Sequence, residues 1–229
     1  MTGVQTCALP ISIALHPAAL TGSASASFSF SGNDGGSGIA SFQCRRDGGA
    51  WGACTSPREY TALTEGAHEF EVKAIDSAGN VDASPASFDW TVDTMPPVVQ
   101  IDSGPIDLTN DPSPTFGFSS EPGASFECSI DTGTPSFGPC SDSSSHTPAA
   151  PLADGPQTFR VRATDAATNQ AVATRGFEVD TTAPDAPELT ATVPASPAND
   201  NGPRVIGSAP AGTDRKSTRL NSSHLFISR

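Results

Sequence analysis

Most of the stretch from Phe42 to Asn80 occurs twice in this chain, and that recurrence limits the fold more than any other feature. Phe42-Gln43-Cys44 through Cys54 returns as Phe126-Glu127-Cys128 through Cys140, and His68 through Asp76 (HEFEVKAID) returns as Gln157 through Asp165 (QTFRVRATD). Self-similarity of this kind marks a tandem array of small units, each built on one supersecondary plan. Ahead of this stretch the register is constant: Ile13, Pro17, Leu20, Phe28 and Phe30 recur 88 positions later as Ile101, Pro105, Leu108, Phe116 and Phe118.

The two ends obey a different rule. Met1 to Ile11 and Asp214 to His224 are antisense translations of one another: Lys216 as AAG reverses to CTT for Leu9, and Asp214 as GAT reverses to ATC for Ile11. No physical constraint on a protein produces this. Both stretches, with Leu225 to Arg229 as run-on, read as translated adapter sequence and are set aside before the fold is read. Of the 12 basic and 25 acidic residues the tail then takes four and one, so Ser12 to Thr213 keeps eight against 24, a net charge of −16. Cys7 drops out, leaving four cysteines as one close pair per repeat, and the sequon Asn221-Ser222-Ser223 goes with the tail. A chain this acidic is repelled by nucleic acid and by anionic lipid, so neither is expected as a partner. Membrane insertion is not expected either, because no apolar run approaches the roughly 18 residues of a spanning helix.

The apolar residues come in short alternating bursts. Ser27 to Ser31 places Phe28 and Phe30 on one face of a half-buried strand, and the Gly-rich Asn33 to Gly38 reads as a loop. Phe42 to Arg46 reads as the next strand, Asp47-Gly48-Gly49 as its turn and Trp51 to Cys54 as the return. Tyr60, Leu63 and Gly66 lead into His68 to Asp76, whose alternation turns Phe70, Val72 and Ala74 inward, as it does Phe159, Val161 and Ala163. Asp76 to Asn80 makes a turn, and Phe88, Trp90 and Val92 share a face of a closing strand that Phe177 and Val179 repeat. With Pro57 and His146 to Pro151 as irregular crossings, each unit has about seven short strands and no helical period, the pattern of an all-β, antiparallel sandwich. A bridge from Cys44 to Cys54 would clip one hairpin and a bridge from Cys128 to Cys140 its counterpart; bridges between repeats and free buried thiols are the alternatives. Closing a loop of about ten residues contributes about 2–3 kcal/mol. Closely paired cysteines in small β domains also point to an oxidising compartment, hence an extracellular or cell-surface location.

Phe-x-Cys, Asp-Gly-Gly, a second Cys, Leu-x-x-Gly-x-His-x-Phe-x-Val-x-Ala-x-Asp-x-Ala-Gly-Asn, then Trp-Thr-Val-Asp-Thr and Pro-Pro, together resemble the bacterial Ig-like repeats of long secreted and surface proteins. The resemblance covers nearly all of Ile13 to Pro184, and Leu63 to Asp76 is also similar to the corner and following strand of fibronectin type III domains. The repeats depart from antibody-type domains in having no Cys on the His68 to Asp76 strand, and Thr168 stands where the first unit has Gly79. The resemblance implies tandem Ig-like sandwiches at 12–94 and 95–182, and the opening of a third unit at 183–213, between adapter at 1–11 and 214–229. Because the counterpart of Val99 is Ile11, the first strand of repeat one is expected to be truncated or poorly paired. Asp93 to Pro97 and Asp180 to Pro184 are the joints, and their prolines restrict the angle between neighbours.

No nucleophile elbow, zinc-binding helix or Cys/His pair surrounds His16, His68 or His146, and the carboxylates are scattered over turns, so no catalytic residue and no enzyme is expected. No cofactor is expected beyond calcium, for which Asp76, Asp93, Asp165 and Asp180 are candidates because they recur at turns and joints of a very acidic chain. The foremost reading is a structural or adhesion-type spacer, expected as a monomer, within a larger bacterial protein. A protein- or glycan-binding module, suggested by Trp51 and the Asn33 to Gly38 loop, and an accessory domain of a secreted enzyme are the alternatives.

Overall fold

The computed structural model describes residues 11–33, 38–186, 188–193 and 204–208, the last two stretches as backbone. Apart from Ile11, both expected adapter stretches lie outside the described residues, as does most of the Gly-rich loop. The chain divides into two compact units, Met1–Val179 and Asp180–Arg229, and both repeats lie in the first. Every regular element among the described residues is a strand, and no helix there is long and apolar enough to cross a membrane.

Repeat one consists of β1 (Ile11–Leu15), β2 (Leu20–Thr21), β3 (Ala26–Gly32), β4 (Ile39–Arg46), β5 (Gly52–Cys54), β6 (Arg58–Tyr60), β7 (Gly66–Asp76) and β8 (Ala86–Val92). They form a three-stranded sheet, β1-β3-β6, and a five-stranded sheet, β2-β8-β7-β4-β5. Repeat two has β9 (Gln100–Ser103), β10 (Leu108–Thr109), β11 (Phe116–Ser119), β12 (Ser125–Asp131), β13 (Gly138–Pro139), β14 (Ser145–His146), β15 (Gly155–Thr164) and β16 (Gln170–Val179). Its sheets, β9-β11-β14 and β10-β16-β15-β12-β13, repeat that order strand for strand. The described residues of 180–229 include an antiparallel pair, β17 (Glu188–Val193) with β18 (Arg204–Ser208).

The cores repeat as closely as the strands. Phe28 stacks on Phe70 with centroids 4.2 Å apart, and Phe116 stacks on Phe159 at the same 4.2 Å. Trp90 tilts against Phe28 at 5.1 Å as Phe177 tilts against Phe116. These rings come from both sheets, so alternation along each strand delivers one apolar face and the two faces close on each other.

Two expectations need correction. The first strand is not truncated: β1 is five residues long, and Ile11 pairs with Gly32 and packs on the core. An apolar β-branched residue fills the slot that Val99 fills in repeat two, which is all the pleat requires. The crossings at Pro57 and His146 contain β6 and β14, the third strands of the smaller sheets. They are too short for a period of two to register, and bring the described residues of each repeat to eight strands. The sandwiches are antiparallel as expected, apart from two short parallel pairs, β2 with β8 and β10 with β16. Pro17 and Pro105, without an N–H to continue the first ladder, follow β1 and β9 where the chain crosses between sheets. Trp51 stands just ahead of β5 in the β4–β5 hairpin, half-buried and outside the core cluster.

Candidate functional site

The turn between β15 and β16 is set by one carboxylate. Asp165 Oδ1 accepts from the Asn169 backbone N–H at 2.8 Å, and Oδ2 accepts from Asn169 Nδ2 at 2.9 Å. The Asp165 N–H donates to the Asn169 carbonyl at 3.1 Å and Thr168 N–H donates to the Asp165 carbonyl at 3.3 Å, with Thr168 in the left-handed region at φ 73°. An Asx side chain that bonds its own backbone fixes a turn in this way. The outcome here is an Asn169 amide group locked in one orientation.

An amide NH2 has two hydrogens, and the second of Asn169 leaves its own repeat. It donates to the Asp93 carbonyl in the joint at 2.7 Å. Asp93 is itself tied to repeat one, because its N–H donates to the carbonyl of Thr21, at the end of β2, at 2.9 Å. Thr94 donates through both N–H and hydroxyl to the Glu65 carboxylate. Ala167 sits in the turn with 2 % of its surface exposed. Opposite it lies Gly22, where a Cβ would stand 2.6 Å from Asn169 Oδ1 and 2.9 Å from the Ala167 carbonyl oxygen. The end of repeat one, the joint and a turn of repeat two thus meet with no room for one further carbon.

Of the calcium candidates, Asp165 and Asp93 come to this joint, linked through Asn169 and a backbone carbonyl. Asp76 closes the equivalent turn of repeat one, accepting from Ala78 N–H at 2.9 Å, Asn80 N–H at 2.8 Å and Asn80 Nδ2 at 2.8 Å. Asp93 and Asp180 each accept from the N–H two residues on, at 3.2 Å from Met95 and 3.0 Å from Thr182. Among the described residues no three His, Cys, Asp or Glu side chains are placed to share a metal ion. Sequence reading missed Gly22 and Asn169. The only signal was that Asn169 repeats Asn80 whereas Gly22 is replaced by Asn110 in repeat two.

The cysteines form two bridges, Cys44–Cys54 and Cys128–Cys140, each within one hairpin. Trp51 lies under two cations, Arg45 at 4.6 Å and Lys73 at 4.2 Å from the ring centroid, and Phe137 lies under Arg162 at 4.3 Å. Arg45 also pairs with Glu71. A ring engaged this way is a brace on the outer sheet face. A cleft of about 360 Å³ runs beside His68, Asp47, Glu69, Asp89 and Trp90. His68 is buried, its Nδ1 facing Asp47 Oδ2 at 2.9 Å and its Nε2 facing the Thr64 carbonyl at 2.8 Å. Burial pushes the Asp47 carboxyl up, but the Glu69 N–H, the His68 ring and Arg46 together hold it below its ordinary value. His16 stacks on Phe88 at 3.8 Å, and His146 accepts from Ser141 N–H at 3.2 Å.

Residues 98–181 match the bacterial Ig-like domain family. No curated protein matches the sequence. Among solved structures, the fibronectin(III)-like modules of Clostridium thermocellum CbhA align at 14% identity over 75% of this chain and 94% of theirs, with a TM-score of 0.45. A structure from a 1.5-MDa bacterial ice-binding adhesin aligns at 12% identity over 73% of this chain and 60% of that one, with a TM-score of 0.41. A tetra-tandem repeat from the extending region of a large adhesion protein aligns at 15% identity over 80% and 52%, with a TM-score of 0.29. The chain is a tandem of Ig-like β-sandwich repeats, and the second of them, over residues 98–181, matches the bacterial Ig-like domain family.

Proposed function

We propose that the two repeats are a structural spacer, a stiff segment of a larger extracellular or surface protein that sets the distance and direction of whatever it carries. The observation that carries this reading is the Asn169 Nδ2 to Asp93 carbonyl bond, made beside the buried Ala167 and the close approach at Gly22. A flexible tether needs none of these, whereas a spacer that transmits orientation needs a joint with one preferred geometry. The hairpin disulfides suit an oxidising exterior. Trp51, the residue that suggested glycan binding, has its ring engaged by Arg45 and Lys73. The decisive experiment is 15N relaxation on the two-repeat protein. A common rotational diffusion tensor for both repeats supports the spacer, and separate correlation times for residues before and after the joint overturn it.

A further inference from the structure

The turn of repeat one that corresponds to the docked turn of repeat two has the same internal construction, and the Gly38 carbonyl accepts from its Ser77 N–H at 3.0 Å, while Ala78, Gly79 and Asn80 are exposed. Asp76 N–H donates to the Asn80 carbonyl at 3.0 Å, as Asp165 N–H does to Asn169 at 3.1 Å. Asn80 Nδ2 donates to Asp76 Oδ2 at 2.8 Å, as Asn169 Nδ2 does to Asp165 Oδ2 at 2.9 Å. Gly79 takes φ 87° where Thr168 takes 73°. The difference that bears on docking is what faces the tip of the turn. Ala167 is buried against repeat one, whereas its counterpart Ala78 is exposed, together with Ser77, Gly79 and Asn80. The second hydrogen of Asn169 Nδ2 goes to a joint carbonyl, and that of Asn80 Nδ2 makes no bond among the described residues.

We propose that Ala78 to Asn80 is a preformed docking surface for the joint end of another Ig-like repeat set ahead of repeat one in tandem. The proposal rests on the spacer reading and names the partner's chemistry. Asn80 Nδ2 donates to the backbone carbonyl of the partner's joint aspartate, and Ala78 seats against a glycine just after the partner's second strand. That glycine is a selectivity element. At Gly22 a Cβ would fall within 2.9 Å of two oxygens of the docking turn, one of them backbone, so only an end without a side chain fits. Repeat two fails the requirement: Asn110 stands at the Gly22 position, in a loop of the same build, since Asp111 N–H donates to Thr109 Oγ1 at 3.1 Å as Ser23 N–H does to Thr21 Oγ1 at 3.2 Å. The surface therefore accepts an end like that of repeat one and rejects one like that of repeat two.

The test inserts a copy of residues 12–98 between Pro10 and Ile11 of the full chain, which preserves the joint length, and follows amide hydrogen exchange by NMR. The expected result is at least tenfold slower exchange at Ala78 and the Asn80 side-chain amide than in the parent chain. Gly22→Gln in the added copy alone should restore the parent rates, with Gly22→Ala as the milder variant should the larger side chain disturb folding. The native joint is the internal standard. If Ala78 and Asn80 keep parent rates while Ala167 and Asn169 stay protected, the docking surface is refuted and the spacer reading stands. If Ala167 and Asn169 exchange freely as well, both fall.

Discussion

Trp90 and Phe177 occupy one position in the two repeats, each tilted at 5.1 Å against the phenylalanine of the opposite sheet, yet only the indole brings a polar atom inside. Trp90 Nε1 is buried without a partner among the described residues, a situation that costs about 1–3 kcal/mol. Trp90→Phe removes that penalty and leaves a partial cavity of opposing effect, so urea denaturation should place it within about 1 kcal/mol of the parent, against a loss of about 3–5 kcal/mol for Phe28→Ala. Asp47 gives a second residue-scale prediction. Its carboxylate faces the Glu69 N–H, the His68 ring and the Arg46 guanidinium, and is held below its ordinary 3.8. A carboxyl lowered by folding contributes stability that is complete above its unfolded value and is lost as pH falls through the folded one. Asp131 behaves alike: burial pushes it up, and Arg160, Gly133 N–H and Ser129 hold it down. His146 acts earlier, because burial lowers it from 6.5 and the folded state resists its protonation. Urea midpoints should therefore decline gently below about pH 6.5 and steeply below the ordinary carboxylate range, the steep limb shrinking in Asp47→Asn/Asp131→Asn.

At the scale of elements, the β4–β5 hairpin shows how local chemistry fixes a register. Asp47 and Gly48 take φ 53° and 67°, and Gly49 N–H donates to the Arg46 carbonyl at 2.9 Å, the turn whose twist matches two antiparallel strands. Cys44 and Cys54 then lie close enough to bridge across a separation of 10 residues. Cys44→Ser/Cys54→Ser should cost about 2–3 kcal/mol of stability in urea denaturation. The turns at Asp76 and Asp165 make a different point. Their carboxylate oxygens already accept N–H donors, so EDTA should leave the thermal midpoint unchanged; a chelator-sensitive midpoint would restore calcium to the account. Alternation made β3, β4, β7 and β8 readable, because each has several residues with one face in the core. The two- and three-residue strands β2, β6, β10 and β14 offer too few positions for a period and exist because a neighbouring edge is there to pair with.

At the scale of the whole molecule, the joint is governed by Asn169 and Gly22, neither of which belongs to a core. Gly22→Gln should leave the unfolding free energy of each repeat within about 0.5 kcal/mol, as surface changes do, and Asn169→Ala should cost repeat two about 1 kcal/mol for its lost bond to Asp165, while in both 15N relaxation shows the two repeats reorienting separately. A result in which either variant still tumbles as one body would move the stiffness to Pro96 and Pro97 alone. The sequence by itself determined the tandem plan, one close cysteine pair per repeat and the inward faces, because period, turn chemistry and cysteine spacing are local or recurrent and act the same wherever a strand is placed. Only the tertiary structure decided that Gly22, Asp93 and Asn169 meet. They are 76 residues apart from Asp93 to Asn169, no pattern links them, and the contact exists only because two folded repeats bring a turn and a chain end together.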